Sequence, residues 1–179
     1  VPSRFEYTAP GGVAKARPVV QGCFEPGADS HVADSPTLNR HSVRFLLQLC
    51  ALHGWASSAW DVRKTFLQAD AEADPNFEDK PVYVRPPKSV PLEPGHMWKL
   101  RRGKTLYGLR RAPRALFFSM RKLLLDRGFK QSIADPCVFY LYSGETLIGA
   151  RRTPRGRRSA GRSSKVLGCH GRLAASVGK

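Results

Sequence analysis

Apolar spacing along the chain predicts short strands alternating with two amphipathic helices. Residues 1–37 are rich in glycine and proline, with one extended candidate at residues 15–20, Lys-Ala-Arg-Pro-Val-Val. Across residues 39–53, Val43, Leu46, Leu47, Leu49, Cys50 and Leu52 recur at helical spacing, and Gly54 follows as a stop. Residues 58–67 read as a strand, and the acidic, proline-containing stretch 70–81 reads as a loop. Two further strands are predicted over 81–85 and 96–100. The clearest helix carries Pro113 in its first turn and runs to about residue 126. Leu116, Phe117, Met120, Leu123 and Leu124 line one side of it, and Gly128 closes it. Residues 137–142 and 146–150 predict a β-hairpin turning at Ser143-Gly144-Glu145. Past Ala150 the apolar periodicity stops. Nothing in the Arg-, Gly- and Ser-rich run that follows offsets the entropy of ordering it, so residues 151–179 are expected to be disordered.

Composition narrows the class. A chain of 179 residues with 41% hydrophobic positions is long enough for one domain with a core. No apolar run approaches the roughly 18 residues of a membrane span, and no basic start leads into an apolar signal region. An intracellular protein without a membrane partner is expected, with cytoplasm and nucleus equally open. Cys23, Cys50, Cys137 and Cys169 stand far apart with no CxxC, which argues against a thiolate zinc site and for isolated reduced thiols. The formal charge is +16, from 30 basic and 14 acidic residues, and it points to a polyanionic partner such as nucleic acid. That charge is uneven: residues 151–179 hold nine Lys and Arg and no acid, leaving a body of only +7.

Four ordered segments add chemistry. They are Lys15-Ala16-Arg17-Pro18-Val19-Val20-Gln21-Gly22; Asp34-Ser35-Pro36-Thr37 before the leucine-rich helix; Asp61-Val62 through Phe66-Leu67; and Leu106-Tyr107-Gly108-Leu109-Arg110-Arg111-Ala112-Pro113-Arg114-Ala115. Ala134-Asp135-Pro136 before an aromatic strand agrees with them. In this order they resemble the reverse transcriptase domain of copia-type LTR retrotransposons, whose Pol polyprotein carries KARLVARG and LYGLKQAPRAW segments. The resemblance covers residues 14–150, with 1–13 left as an N-terminal extension and 151–179 as a basic tail.

The resemblance implies an α+β fold: the fingers and part of the palm, an incomplete antiparallel sheet with packed helices. It implies RNA-directed DNA synthesis with Mg²⁺, a template-primer and deoxynucleotide triphosphates as partners. Two divalent ions serve such chemistry, and Mg²⁺ prefers hard oxygen ligands, so Asp61 and the Val62 carbonyl are the candidate ligands. Phe66 matches the aromatic that excludes a ribose 2′-hydroxyl. Lys15 and Arg17 match positions near the triphosphate, and Tyr107-Gly108 match the nucleotide and template pocket. Arg101, Arg102, Lys104, Arg110, Arg111 and Arg114 concentrate charge where phosphate contacts would track nucleic acid. Without the motifs, Asp61 would read as an exposed strand end, Phe66 as core, and the basic residues as a solvated face.

The likeness breaks at one place. The family follows its hairpin with a strand ending in Tyr-Val-Asp-Asp, whereas here Arg151-Arg152-Thr153-Pro154 follows and no Asp or Glu occurs beyond Glu145. One aspartate cannot hold two Mg²⁺ ions against their mutual repulsion, so a catalytically incomplete fragment is expected. The last 29 residues are expected to be foreign to the family, as a frameshift, an exon or a gene-prediction error would make them. A non-enzymatic basic nucleic-acid-binding protein is the alternative. An unpaired sheet edge and marginal stability are expected to follow from the missing strand.

Overall fold

The computed structural model describes residues 1–27 and 33–153 and the backbone of 165–170. In chain order it holds β1 (Ser3–Thr8), β2 (Lys15–Val20), α1 (Arg40–Leu52), β3 (Ala56–Asp61), α2 (Thr65–Gln68), β4 (Tyr83–Val84) and β5 (Trp98–Lys99). It continues with α3 (Ala112–Leu125), β6 (Lys130–Gln131), β7 (Val138–Ser143), β8 (Thr146–Arg152) and β9 (Lys165–His170). Two compact units share these elements, and among the described residues the chain passes between them after Ser35, after Val62 and, inside α3, after Met120.

The first unit contains residues 1–35 and 63–120. Its β1 and β2 form an antiparallel ladder from Ser3↔Val20 to Thr8↔Lys15. Six of residues 1–13 thus pair with the strand that the sequence predicts. Val20, Val82, Val84, Leu109 and Ala112 form one core, with Phe66, Leu100 and Leu106 packed on it. A second core of Ala69, Ala71, Ala115 and Leu116 shares Phe66 and adds Phe77 and Met120. Of the apolar stripe predicted for α3, Leu116, Phe117 and Leu124 are buried and Met120 packs on this second core, whereas Leu123 stays 41% exposed.

The second unit contains residues 36–62 and 121–155 together with β9. Its sheet runs β3-β9-β8-β7-β6, every neighbour antiparallel. Asn39 caps α1 by accepting from the His41 amide at 3.0 Å, and Leu46 on that helix packs with Val138 and Ala150. Leu124, Phe129 and Phe139 form a separate buried cluster.

Three expectations need correction here. The strand foreseen over 58–67 ends at Asp61; Lys64 then adopts φ 50°, and Phe66 sits on the short helix α2. The tail expected to be disordered is strand at both of its described parts: Arg151 and Arg152 extend β8, and Lys165–His170 form β9. The remainder of 151–179, apart from Thr153, lies outside the described residues. Finally, the sheet is not left with an unpaired edge at its centre, because β9 stands between β3 and β8.

A cost of burial shows at Arg152. Desolvation lowers its pKa from the ordinary guanidinium value, and its Nε is buried with no hydrogen-bond partner among the described residues. Arg151 fares better, its guanidinium lying 5.4 Å from the Trp60 ring centroid and 5.4 Å from that of Phe129. Cys23 and Cys137 are free thiols as expected, with burial pushing Cys137 above its ordinary pKa. Cys50 is disulfide-bonded, against the expectation of reduced thiols.

Candidate functional site

The residues singled out from the sequence fall into both units. Asp61 is the last residue of β3 and is exposed, with Val62 directly after it, and both belong to the second unit. Lys15, Arg17, Phe66, Tyr107, Gly108 and the six basic residues of 101–114 belong to the first.

Within the first unit the nucleotide-pocket candidates do converge. Phe66 meets Tyr107 edge to face, with ring centroids 5.3 Å apart. The Phe66 carbonyl accepts from the Thr105 hydroxyl, which fixes α2 against the 105–109 turn. The Val20 amide donates to the Tyr107 carbonyl at 2.8 Å. Gly108 has φ +94°, and a Cβ there would stand 1.9 Å from the Val20 carbonyl oxygen. A Cβ on Gly22 would likewise stand 2.3 Å from the Gly108 carbonyl oxygen. The close backbone approach that glycine permits is made to the chain's own β2. This packing sets the 105–109 turn beside the strand that carries Lys15 and Arg17. Lys15 is exposed and Arg17 half-buried.

The basic turn is less available than its sequence implies. Arg114 is bidentate to Asp74, Nε to Oδ2 at 2.5 Å and Nη2 to Oδ1 at 3.1 Å, and it also donates to the Asp34 carbonyl at 3.2 Å. Only 13% of its side chain is exposed, and its guanidinium lies 4.8 Å from the Phe118 ring centroid. Arg114 thus clamps the Asp74 loop to α3. Arg102 sits between Glu72 at 3.1 Å and Asp79 at 3.3 Å, while the Arg111 Nε is buried without a hydrogen-bond partner among the described residues. Arg101 and Arg110 are exposed and Lys104 half-buried. Sequence reasoning missed Asp74 because its partner lies 40 positions away, and an acidic loop carries no local sign of pairing.

Among the second unit's other carboxylates, Asp135 and Glu145 have places of their own. Asp135 is 7% exposed. It accepts from the Asn39 amide at 3.1 Å, the Ser42 hydroxyl at 2.6 Å and the Cys137 amide at 2.9 Å. Those bonds tie the Asp-Pro corner to the start of α1. Glu145 stands exposed at the β7–β8 hairpin tip.

Residues 8–150 match the family described as reverse transcriptase (RNA-dependent DNA polymerase). The chain belongs to the reverse transcriptase family. It is 33% identical over 135 residues to the retrovirus-related Pol polyprotein from transposon RE1 of Arabidopsis thaliana, covering 75% of this chain and 9% of that protein. For the Pol polyprotein from transposon RE2 of the same plant the identity is 34% over 136 residues, with the same coverage of each chain. That from transposon TNT 1-94 of Nicotiana tabacum is 29% identical over 128 residues, 70% of this chain and 9% of the polyprotein. The chain thus spans about 9% of the length of the curated relatives it matches. No solved structure matches it.

The reverse transcriptase match stops at residue 150, the point at which the sequence pattern breaks. A divalent ion of the Mg²⁺ type needs several oxygen ligands in near-octahedral order. Among the described residues no three His, Cys, Asp or Glu side chains are grouped closely enough to hold a metal. The donor set at Asp61 therefore does not fit a two-ion centre. No helix among the described residues is long and apolar enough to cross a membrane.

Proposed function

We propose that the chain is the fingers and part of the palm of a retrotransposon reverse transcriptase that engages a template-primer without itself carrying out DNA synthesis. The observation that carries this reading is Asp61 at a strand end, with no group of three or more His, Cys, Asp or Glu side chains among the described residues that could hold a metal ion. The first unit meanwhile keeps the Phe66–Tyr107 pair and exposed cations. In an intact polymerase the missing carboxylates would hold the ions that activate the 3′-hydroxyl and neutralise the triphosphate. Here Lys15 and Arg17 remain to bind phosphate oxygens, and the Phe66 ring remains to line a sugar pocket.

Residues 151–179 are foreign to the family in this reading, most simply through a shifted frame. The unpartnered Nε of Arg152, on a strand the family match no longer covers, supports that origin. A non-enzymatic basic binding protein is the weaker alternative, since Arg102 and Arg114 are already spent on internal acids.

Fluorescence anisotropy with a labelled RNA–DNA template-primer, in EDTA and at several salt concentrations, tests the binding half. The logarithm of the affinity is expected to fall linearly with log salt, and Arg101→Ala with Lys104→Ala should lower the slope by about 1 to 2. No binding, or a slope untouched by the double substitution, would contradict the reading.

A further inference from the structure

Trp60 is 56% exposed although it lies inside a strand of the second unit's sheet. Its ring is nonetheless held in place. The indole N–H donates to the hydroxyl of Ser58 at 2.7 Å, two residues back on the same face of β3. The Arg151 guanidinium of β8 lies over the ring, 5.4 Å from its centroid, and at the same distance from the centroid of Phe129. Phe129 is buried, so Arg151 links a core ring to one that meets solvent. The β9 position opposite both Ser58 and Arg151 is Gly168, which has no side chain to interpose.

An indole has two faces. Arg151 covers one, and the exposure of Trp60 leaves the other open to a planar ligand. Successive strand residues point to opposite faces of the sheet, so Asp61 falls on the side away from the Trp60 ring. Residues 36–62 and 121–153 hold eight Lys and Arg against four Asp and Glu, and Asp135 among those acids is buried on its own partners. Arg151 makes no ion pair among the described residues. That balance favours a polyanion over an apolar partner.

We propose that Trp60 is a stacking platform for a base of single-stranded nucleic acid, a site in the second unit that shares no residue with the Phe66–Tyr107 pair of the first. An unpaired base presents a free π-face, and stacking on an aromatic side chain tolerates any sequence. Arg151 fixes the ring and adds a positive charge beside a strand of phosphates. The site requires neither a metal at Asp61 nor a paired template-primer.

With Trp55→Phe and Trp98→Phe the complete chain keeps Trp60 as its single tryptophan, and its emission is followed as oligothymidylate is added. Saturable quenching is expected. A strand of equal length with abasic sites throughout should leave the emission unchanged, and so should a blunt duplex, whose bases are already stacked. Binding of that duplex without quenching keeps the template-primer reading separate from this one. In anisotropy, Trp60→Ala should weaken oligothymidylate binding at least about fivefold. It should leave the abasic strand and the salt slope unaffected, since no charge is removed, and Trp60→Phe should recover part of the loss. The quenching measurement keeps Trp60 in place, so the site is tested even where Trp60→Ala folds poorly. Emission indifferent to oligothymidylate would overturn the proposal. Equal quenching by the abasic strand or the duplex, or an equal loss for both strands in Trp60→Ala, would overturn it too.

Discussion

Replacing Gly108 by alanine is expected to unfold the first unit under conditions where the wild-type chain is folded. Two costs add at this position. An L-residue at φ +94° is strained by about 1–3 kcal/mol. The new Cβ would also stand 1.9 Å from the Val20 carbonyl oxygen, so the 105–109 turn must retreat from β2. Retreat breaks the bond from the Val20 amide to the Tyr107 carbonyl and opens the core that Leu109 shares with Val20. A loss above about 3 kcal/mol is expected in urea unfolding. Gly144→Ala provides the control. Its φ is +58° but its Cβ would meet nothing within 4 Å, so a cost near 1 kcal/mol is expected. Equal losses for the two variants would mean that backbone conformation alone, and not the contact with β2, constrains Gly108.

The second large effect is expected at Asp135. Asp135→Ala leaves the Asn39 amide, the Ser42 hydroxyl and the Cys137 amide without their acceptor. Each stranded donor costs about 1–3 kcal/mol where water cannot reach it. Asn39 and Ser42 lie at the α1 N-terminus and are only part-buried, so a total of about 3–5 kcal/mol is expected rather than the full sum. Asp135→Asn keeps acceptor oxygen on one side and should lose less than half as much. Hydrogen exchange places the effect: amides of α1 and β7 should lose protection while those of β1 and β2 keep theirs. Uniform loss across the chain would show that the corner carries more than the second unit.

Much of this fold is legible in the residues. Lys15–Val20, α1, α3 and the β7–β8 hairpin stand where apolar periodicity and glycine stops put them. Their signals are local. The misses share the opposite property. Strand β1 holds only two aromatic positions among polar ones, and it is ordered by pairing with β2 rather than by its own pattern. Phe66 looks like the tail of an apolar strand, but Lys64 in the left-handed region turns the chain into α2 before that strand can continue. Strand β9 is a short apolar stretch inside an Arg- and Gly-rich run, and one of its two partners, β3, is supplied by a segment far earlier in the chain.

The same division holds at the candidate site. The motif residues Asp61, Phe66, Tyr107 and Gly108 can be read by type and order. The pairings of Arg114 with Asp74, and of Asp135 with Asn39 and Ser42, are contacts that no spacing rule announces.

Primer extension by the complete chain on an RNA template, in Mg²⁺ and again in Mn²⁺, tests most directly whether the surviving aspartate is a catalytic remnant. No incorporation above a protein-free control is expected with either ion, for wild type and Asp61→Asn alike. Incorporation by the wild-type chain that Asp61→Asn abolishes would contradict the loss of the metal centre.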